Sequence, residues 1–189
     1  MTTHGVRQSN SRVELYLRVK HPSLDPGTIS KALNIEPEHS VCAGESTTKS
    51  GKLRLHSESY WLAKLPSARS VPFSTELLND YKELATTTSV TEKLAIKKRH
   101  FESTAFAYQG LSKEEILELI GASPFELLIM PWLRKLNSEE VFFKALRSGG
   151  GSAAIVVQLH NIEHSLRLRP NVTRRLAQVG IDLEIEWNG

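Results

Sequence analysis

Few places in this sequence combine residue type and spacing in a way that could support chemistry. His160-Asn-Ile-Glu-His164 has the H-x-x-E-H spacing of the inverted zincins. That chemistry needs both histidines on one helix face holding one zinc ion, with the glutamate beside them as base. Here His160 closes an apolar, strand-like run, and neither a cap nor a helical period supports a helix over 160–164. The segment reads as a strand end and a polar turn, with no metal. Gly44-Glu-Ser-Thr-Thr-Lys-Ser-Gly-Lys52 imitates a phosphate loop, but six residues separate Gly44 from Gly51 and Leu53 follows the lysine. The motif needs four residues, a following Ser or Thr, and a helix whose N-terminal amides face the phosphate. The polar stretch Gly44–Gly51 therefore reads as a flexible hairpin loop. Gly149-Gly-Gly-Ser152 precedes a strand and reads as a helix terminator and hinge.

Nucleophiles and carboxylates fare no better. Cys42 is the one cysteine, so no intramolecular disulfide can form. A catalytic thiol needs a base and access to substrate, and His39 lies too near in sequence to serve. A buried structural thiol is the expectation. Glu114, Glu115 and Glu118 have the spacing of a solvated helix face. No catalytic set is complete, and no cofactor is implied.

Basic residues offer binding instead. Lys97-Lys98-Arg99-His100 forms one cluster, and Arg167, Arg169, Arg174 and Arg175 surround the start of the last helix. They suit phosphates or an acidic protein. Overall, 24 basic residues stand against 21 acidic ones, for a net charge of +3, well short of the basic bias of a dedicated nucleic-acid binder. An RNA-reading sheet would also expose stacking aromatics, and Ser152–His160 carries none apart from His160.

The elements that must position these residues follow from periodicity. Residues 1–11 read as a disordered, polar leader with no signal-peptide core. Val13, Leu15, Leu17 and Val19 alternate with Arg12, Glu14, Tyr16, Arg18 and Lys20, predicting a strand. Asp25-Pro26 opens a short helix with Ile29, Ala32 and Leu33 inward, ended by Pro37. Short strands near His39–Ala43 and over Tyr60–Leu65 follow, with Trp61 in the core. From Val71 to about Ala122 the period becomes helical. Phe73, Leu77, Tyr81 and Leu84 share one face; capping boxes start at Ser89 and Ser112, and Gly121 closes the latter helix. Ser123 opens a helix that Pro131 is expected to kink or split, and Asn137-Ser-Glu-Glu140 is expected to cap the next. Ser152–His160 has apolar residues on both faces and reads as an inner strand.

The chain closes on Pro170–Val179, a helix stopped by Gly180, and on Ile181–Trp187, where Ile181, Leu183, Ile185 and Trp187 alternate with Asp182, Glu184 and Glu186. Its acidic face complements the mainly basic face of the first strand. The two strands are therefore expected to be neighbours, with Val172, Leu176, Leu183 and Ile185 in the core.

This order predicts an α+β domain over residues 12–189, a ferredoxin-like open-faced sandwich with an added terminal helix-strand unit. Leu24-Asp-Pro-Gly-Thr-Ile-Ser-Lys-Ala-Leu-Asn-Ile-Glu-Pro37, then Gly44-Glu45, then Trp61-Leu62, resembles the first half of a bacterial family known as domain of unknown function 4279. Leu168–Trp187 resembles its closing helix and strand. The resemblance covers about Arg12–Leu65 and Pro124–Trp187, leaves 71–122 as a helical insertion, and departs from the family at Ser40–Ala43. It implies a fold and no activity.

The expected function is a non-enzymatic bacterial interaction domain, protein-binding or immunity-like. Lys97, Lys98, Arg99 and Tyr108 of the insertion are its expected surface. A nucleic-acid-binding accessory protein using residues near 97–100 and 167–175 is the alternative. An enzyme drawing on His160, His164 or Cys42 is the third. No run is long and apolar enough to span a membrane, and a cytoplasmic location is expected.

Overall fold

Alternation in Arg12–His21 makes β1 a strand with two unlike faces, and β5 and β6 pair on either side of it. The computed structural model describes residues 12–49, 52–65, 83, 86–104, 124–160 and 168–188. Leu15, Leu17 and Val19 of β1 are buried on one face. After a turn in which His21 Nδ1 accepts from the amides of Ser23 and Leu24, α1 spans Pro26–Leu33. Asp25 caps it by accepting from the amides of Gly27 at 2.8 Å and Thr28 at 3.2 Å. Asn34 ends it in the left-handed conformation that Asn tolerates. Strands β2 (His39–Val41), β3 (Ser46–Lys49), β4 (Lys52–Leu55) and β5 (Ser59–Leu65) follow.

Helix α2 spans Val90–Thr104, α3 Pro124–Asn137 and α4 Glu140–Ser148, and Gly149 follows α4 as its C-cap. Strand β6 is Ser152–His160, α5 is Pro170–Val179 and β7 is Asp182–Asn188. Gly180 ends α5 at a φ of 82°, where a side chain would be strained. The chain is thus α+β.

Five strands form one sheet in the order β2-β5-β1-β6-β7, and β3 pairs with β4 in a separate hairpin. Strand β1 is antiparallel to both β5 and β6, β2 is antiparallel to β5, and β6 is parallel to β7. Helices α1, α3, α4 and α5 pack on one face. Leu17 stands between Ala63 and Ile155, and Val19 between Trp61 and Ala153. These residues share one core with Ile29 and Leu33 of α1, Phe125, Ile129 and Leu133 of α3, Phe143 of α4, and Val172 and Leu176 of α5. Each such large side chain contributes about 1.5–3 kcal/mol on leaving water. Trp61 is fully buried as expected, and its indole N–H donates to Ser30 Oγ at 3.0 Å, tying β5 to α1.

Five expectations need correction. The first and last strands are not neighbours, because β6 lies between them. Their charges nevertheless meet: Arg18 Nη2 pairs with Glu184 Oε1 by reaching over β6, where its cross-strand partner is the small Ala154. Ile185 is not core but 39% exposed, since β7 lies at the sheet edge. The loop Gly44–Gly51 is largely strand, because Ser46–Lys49 finds its partner in Lys52–Leu55. Pro131 does not split α3, which runs through it as one element. Asn137 does not cap α4: Glu139 precedes that helix without a side-chain cap bond, and Ser138 Oγ donates back to the Lys135 carbonyl at 2.6 Å.

Of the capping boxes, Ser89 does accept from the Glu92 amide at 3.4 Å, while Glu92 turns to the Thr87 hydroxyl at 2.6 Å. The leader 1–11, the Phe73–Leu84 helix, the Ser112 box with Gly121, and the insertion apart from 83 and 86–104 lie outside the described residues.

Candidate functional site

The face of the sheet opposite α1, α3, α4 and α5 gathers its polar side chains around Glu14. This is the one acid among the basic residues of that face of β1, and its neighbours come from three strands. Lys64 Nζ of β5 donates to Glu14 Oε1 at 2.6 Å. His160 Nε2 of β6 lies 3.2 Å from Oε2, and the Tyr16 hydroxyl donates to the same oxygen at 3.5 Å. The bond to Glu14 holds the Lys64 ammonium above its ordinary pKa, the main effect there. Burial, then the Glu14 charge, raises the Tyr16 hydroxyl, so it stays a neutral donor.

Beyond this knot, Lys20 pairs with Glu58 at 3.4 Å, and Gln158 Nε2 donates to Glu186 Oε2 at 2.9 Å. Arg18 completes the row through Glu184. Acids and bases neutralise one another across the strands, as cross-strand neighbours of opposite sign do. This arrangement anchors β7; it does not present an isolated acid-base couple to a substrate.

Two edges are different in kind. Strand β7 pairs only with β6 among the described residues, so one side of its backbone faces outward. Ile185 is 39% exposed and Trp187 57%, both on the side chain alternation that elsewhere feeds the core. Asp182, Glu184 and Glu186 occupy the opposite alternation. Strand β4 pairs only with β3 among the described residues, and all four of its residues are exposed. Leu53 at 75% and Leu55 at 68% are among the most exposed large apolar residues described. Lys52 and Arg54 alternate with them. A two-stranded hairpin standing in water is marginal by itself, and bare leucines make it more so. Exposed edges with apolar residues are pairing sites unless blocked.

The residues singled out in the sequence scatter. Lys98 and Arg99 are exposed on α2, and Arg99 pairs with Glu83 at 2.7 Å. Lys97 lies on the same helix, but its side chain, and Tyr108, Arg167 and His164 entirely, fall outside the described residues, as do Glu114, Glu115 and Glu118. Arg174 is exposed and Arg175 half-buried on α5. Arg169 serves the fold: its amide donates to Glu126 Oε1 at 2.7 Å and its Nε to Oε2 at 2.9 Å, and Glu126 is only 1% exposed.

Cys42 is half-buried, not buried, with Sγ 3.8 Å from Asp25 Oδ2. Desolvation, then the Glu45 and Asp25 charges, pushes the thiol up and keeps it protonated at neutral pH, contrary to what a nucleophile needs. His160 ends β6 as expected and lies against Glu14, while the turn expected after it falls outside the described residues. Among the described residues no group of three or more His, Cys, Asp or Glu could hold a metal ion, and no helix is long and apolar enough to cross a membrane.

Sequence reasoning missed Glu14 and the exposure of β4 and β7. The signal for Glu14 was its sign, opposite to Arg12, Arg18 and Lys20 on one face. Exposure had no such signal, because alternation looks the same at an edge as in the middle of a sheet.

No family model, no curated protein and no solved structure matches this chain significantly.

Proposed function

We propose that the protein is a protein-interaction domain whose recognition element is the free edge of β7, which takes up an extended partner segment by strand addition. One observation carries this reading: a strand paired on one side only among the described residues, bearing half-exposed Ile185 and Trp187 on one alternation and three acids on the other. Backbone hydrogen bonds would supply affinity, and the two alternations would select a segment that alternates apolar and basic residues. Aromatic residues such as Trp187 commonly anchor such contacts.

The scaffold proposed for this edge is ferredoxin-like. The order β2-β5-β1-β6 with its antiparallel neighbours agrees with that topology, and α5 with β7 is then the added terminal unit. Membership in the family called domain of unknown function 4279, and a cytoplasmic bacterial setting, belong to the same proposal. The nucleic-acid alternative is weakened because Arg169 is committed to Glu126 and Arg99 pairs with Glu83.

The test is a titration with a synthetic peptide of about eight residues alternating valine and lysine, the length of an ordinary strand. Amide resonances of residues 182–188 should shift and their hydrogen exchange should slow. A peptide with proline at its centre, which cannot complete the ladder, should do neither. Shifts spread over the helices, or none at all, would reject the β7 edge.

A further inference from the structure

The partner segment is present in the molecule itself. We propose that the protein self-associates, with β4 of one copy adding to the β7 edge of a second copy. This inference rests on the β7 reading above and names the occupant.

The argument begins with two exposed edges of matching pattern. Strand β4 reads Lys52-Leu-Arg-Leu55, and β7 reads Asp182-Leu-Glu-Ile-Glu-Trp187. Both alternate charge with apolar surface at the strand period, so one pairing brings charges together on one face and apolar groups on the other. In an antiparallel register, Lys52 stands opposite Glu186, Leu53 opposite Ile185, and Arg54 opposite Glu184. A parallel register keeps the same matching of faces. Residues 46–55 contain three basic residues and no acid, so nothing within the hairpin answers its charge. Opposite charges directly across strands are favourable and like charges unfavourable. Pairing β7 with β7 sets glutamate against glutamate, and β4 with β4 sets lysine against arginine. Only β4 with β7 is complementary.

The contact must be between copies. Strands β2 and β7 are the two outer strands of the five-stranded sheet, four spacings or about 19 Å apart. The hairpin follows directly on β2 and is tied down there: the Gly44 amide donates to the His56 carbonyl at 2.7 Å and the Ala43 amide to Ser59 Oγ at 3.0 Å. It therefore sits at the edge away from its own β7. Joining two different patches is a head-to-tail contact, which closes when each copy gives and receives a strand and otherwise extends. Association would cover Leu53, Leu55, Ile185 and Trp187 together, four of the exposed large apolar side chains.

A charge-swap experiment decides it. Wild-type protein in sedimentation velocity should show association that strengthens with concentration and weakens with salt. Lys52→Glu/Arg54→Glu and Glu184→Lys/Glu186→Lys should each run as monomers, at least tenfold weaker in self-association, with circular dichroism establishing that each is folded. Mixing them in equal amounts should restore a heterodimer, because the reversed hairpin now fits the reversed edge. A folded pair that stays monomeric when mixed, or a wild type monomeric throughout, overturns the inference. The first double variant also separates this from the underlying reading, since its β7 is intact. If it binds the valine–lysine peptide while the mixture fails, β7 is a docking edge for some other protein. If it binds neither, both fall.

Discussion

Strands β6 and β7 run parallel as neighbours, and each alternates apolar residues with others, yet they have opposite fates. Val157 and Leu159 of β6 are buried, whereas Ile185 and Trp187, their register partners in β7, are 39% and 57% exposed. Position explains the difference. Strand β6 has β1 on one side and β7 on the other, with α3, α4 and α5 above; β7 has one neighbour among the described residues and lies beyond most of their helix cover. On the opposite face Ala154 and Val156 are buried as well, with Arg18 and Tyr16 as their cross-strand neighbours. An inner strand thus uses both faces for stability. An outer strand with the same local pattern keeps apolar surface available for something else.

The largest effects should fall on β6. Ile155→Ala removes a fully buried side chain from a site pinned by Leu17 and Leu183, and is expected to cost about 2–5 kcal/mol in chemical denaturation. Trp187→Ala, though it deletes a larger side chain, should stay within about 0.5 kcal/mol of wild type. A large loss at Trp187 would mean that β7 is part of the core after all, and the contrast between the strands would collapse.

Next in size is the contact that seats α5, the helix leading into β7. Glu126 is buried and accepts two hydrogen bonds from Arg169, whose side chain is partly exposed. Glu126→Ala leaves those donors without their charged acceptor, at an expected cost of about 1.5–3 kcal/mol. The loss should be local first. Hydrogen exchange in 170–188 should quicken more than in β6, which is held by β1 whether or not α5 is firm.

How far the sequence foretold this depends on which force decided each element. Local rules were sufficient for the start of α1, set by Asp25 and Pro26, and for α5, set by Pro170 and Gly180; α1 ends at Asn34, ahead of the expected stop at Pro37. Period-2 patterns located β1, β5, β6 and β7 within a residue or so. Strand order was another matter. The complementary charges of β1 and β7 were read as adjacency, which β6 overturns; Arg18 and Glu184 meet all the same, because long side chains span a whole strand when the residue between is Ala154. Charge matching therefore predicts proximity, not hydrogen-bonded adjacency. The hairpin was read as a loop because Ser46–Lys49 is polar throughout, and its strand character comes from its partner, Lys52–Leu55. As for the site, nothing local marks an edge: the exposure of Leu53 and Trp187 is a property of what the fold leaves uncovered.

Smaller still is the contribution of the open-face charges that hold β7 down. Arg18→Ala should cost no more than about 1 kcal/mol, since both partners of the Arg18–Glu184 pair are partly exposed and screened. Its value lies in what it does to Tyr60. Burial raises the Tyr60 hydroxyl, Arg18 offsets part of that rise, and Glu186 and Glu184 add to it. Tyr16 and Lys64 are raised as well. A group with a raised folded pKa holds its proton more tightly when folded, so its stabilisation is complete below the unfolded value and disappears as pH climbs through the folded one. For two tyrosines and a lysine that window opens near pH 10 and extends upward, so the denaturation midpoint should decline there and not between pH 6 and 9. In Arg18→Ala, Tyr60 loses the one neighbour that favours its phenolate while Glu184 and Glu186 stay. Its titration, followed by tyrosinate absorbance against a Tyr60→Phe control, should move to higher pH. A move to lower pH would mean that the acids of β7 had swung away with Arg18 gone, and that this arginine, not the pairing with β6, decides where the edge strand sits.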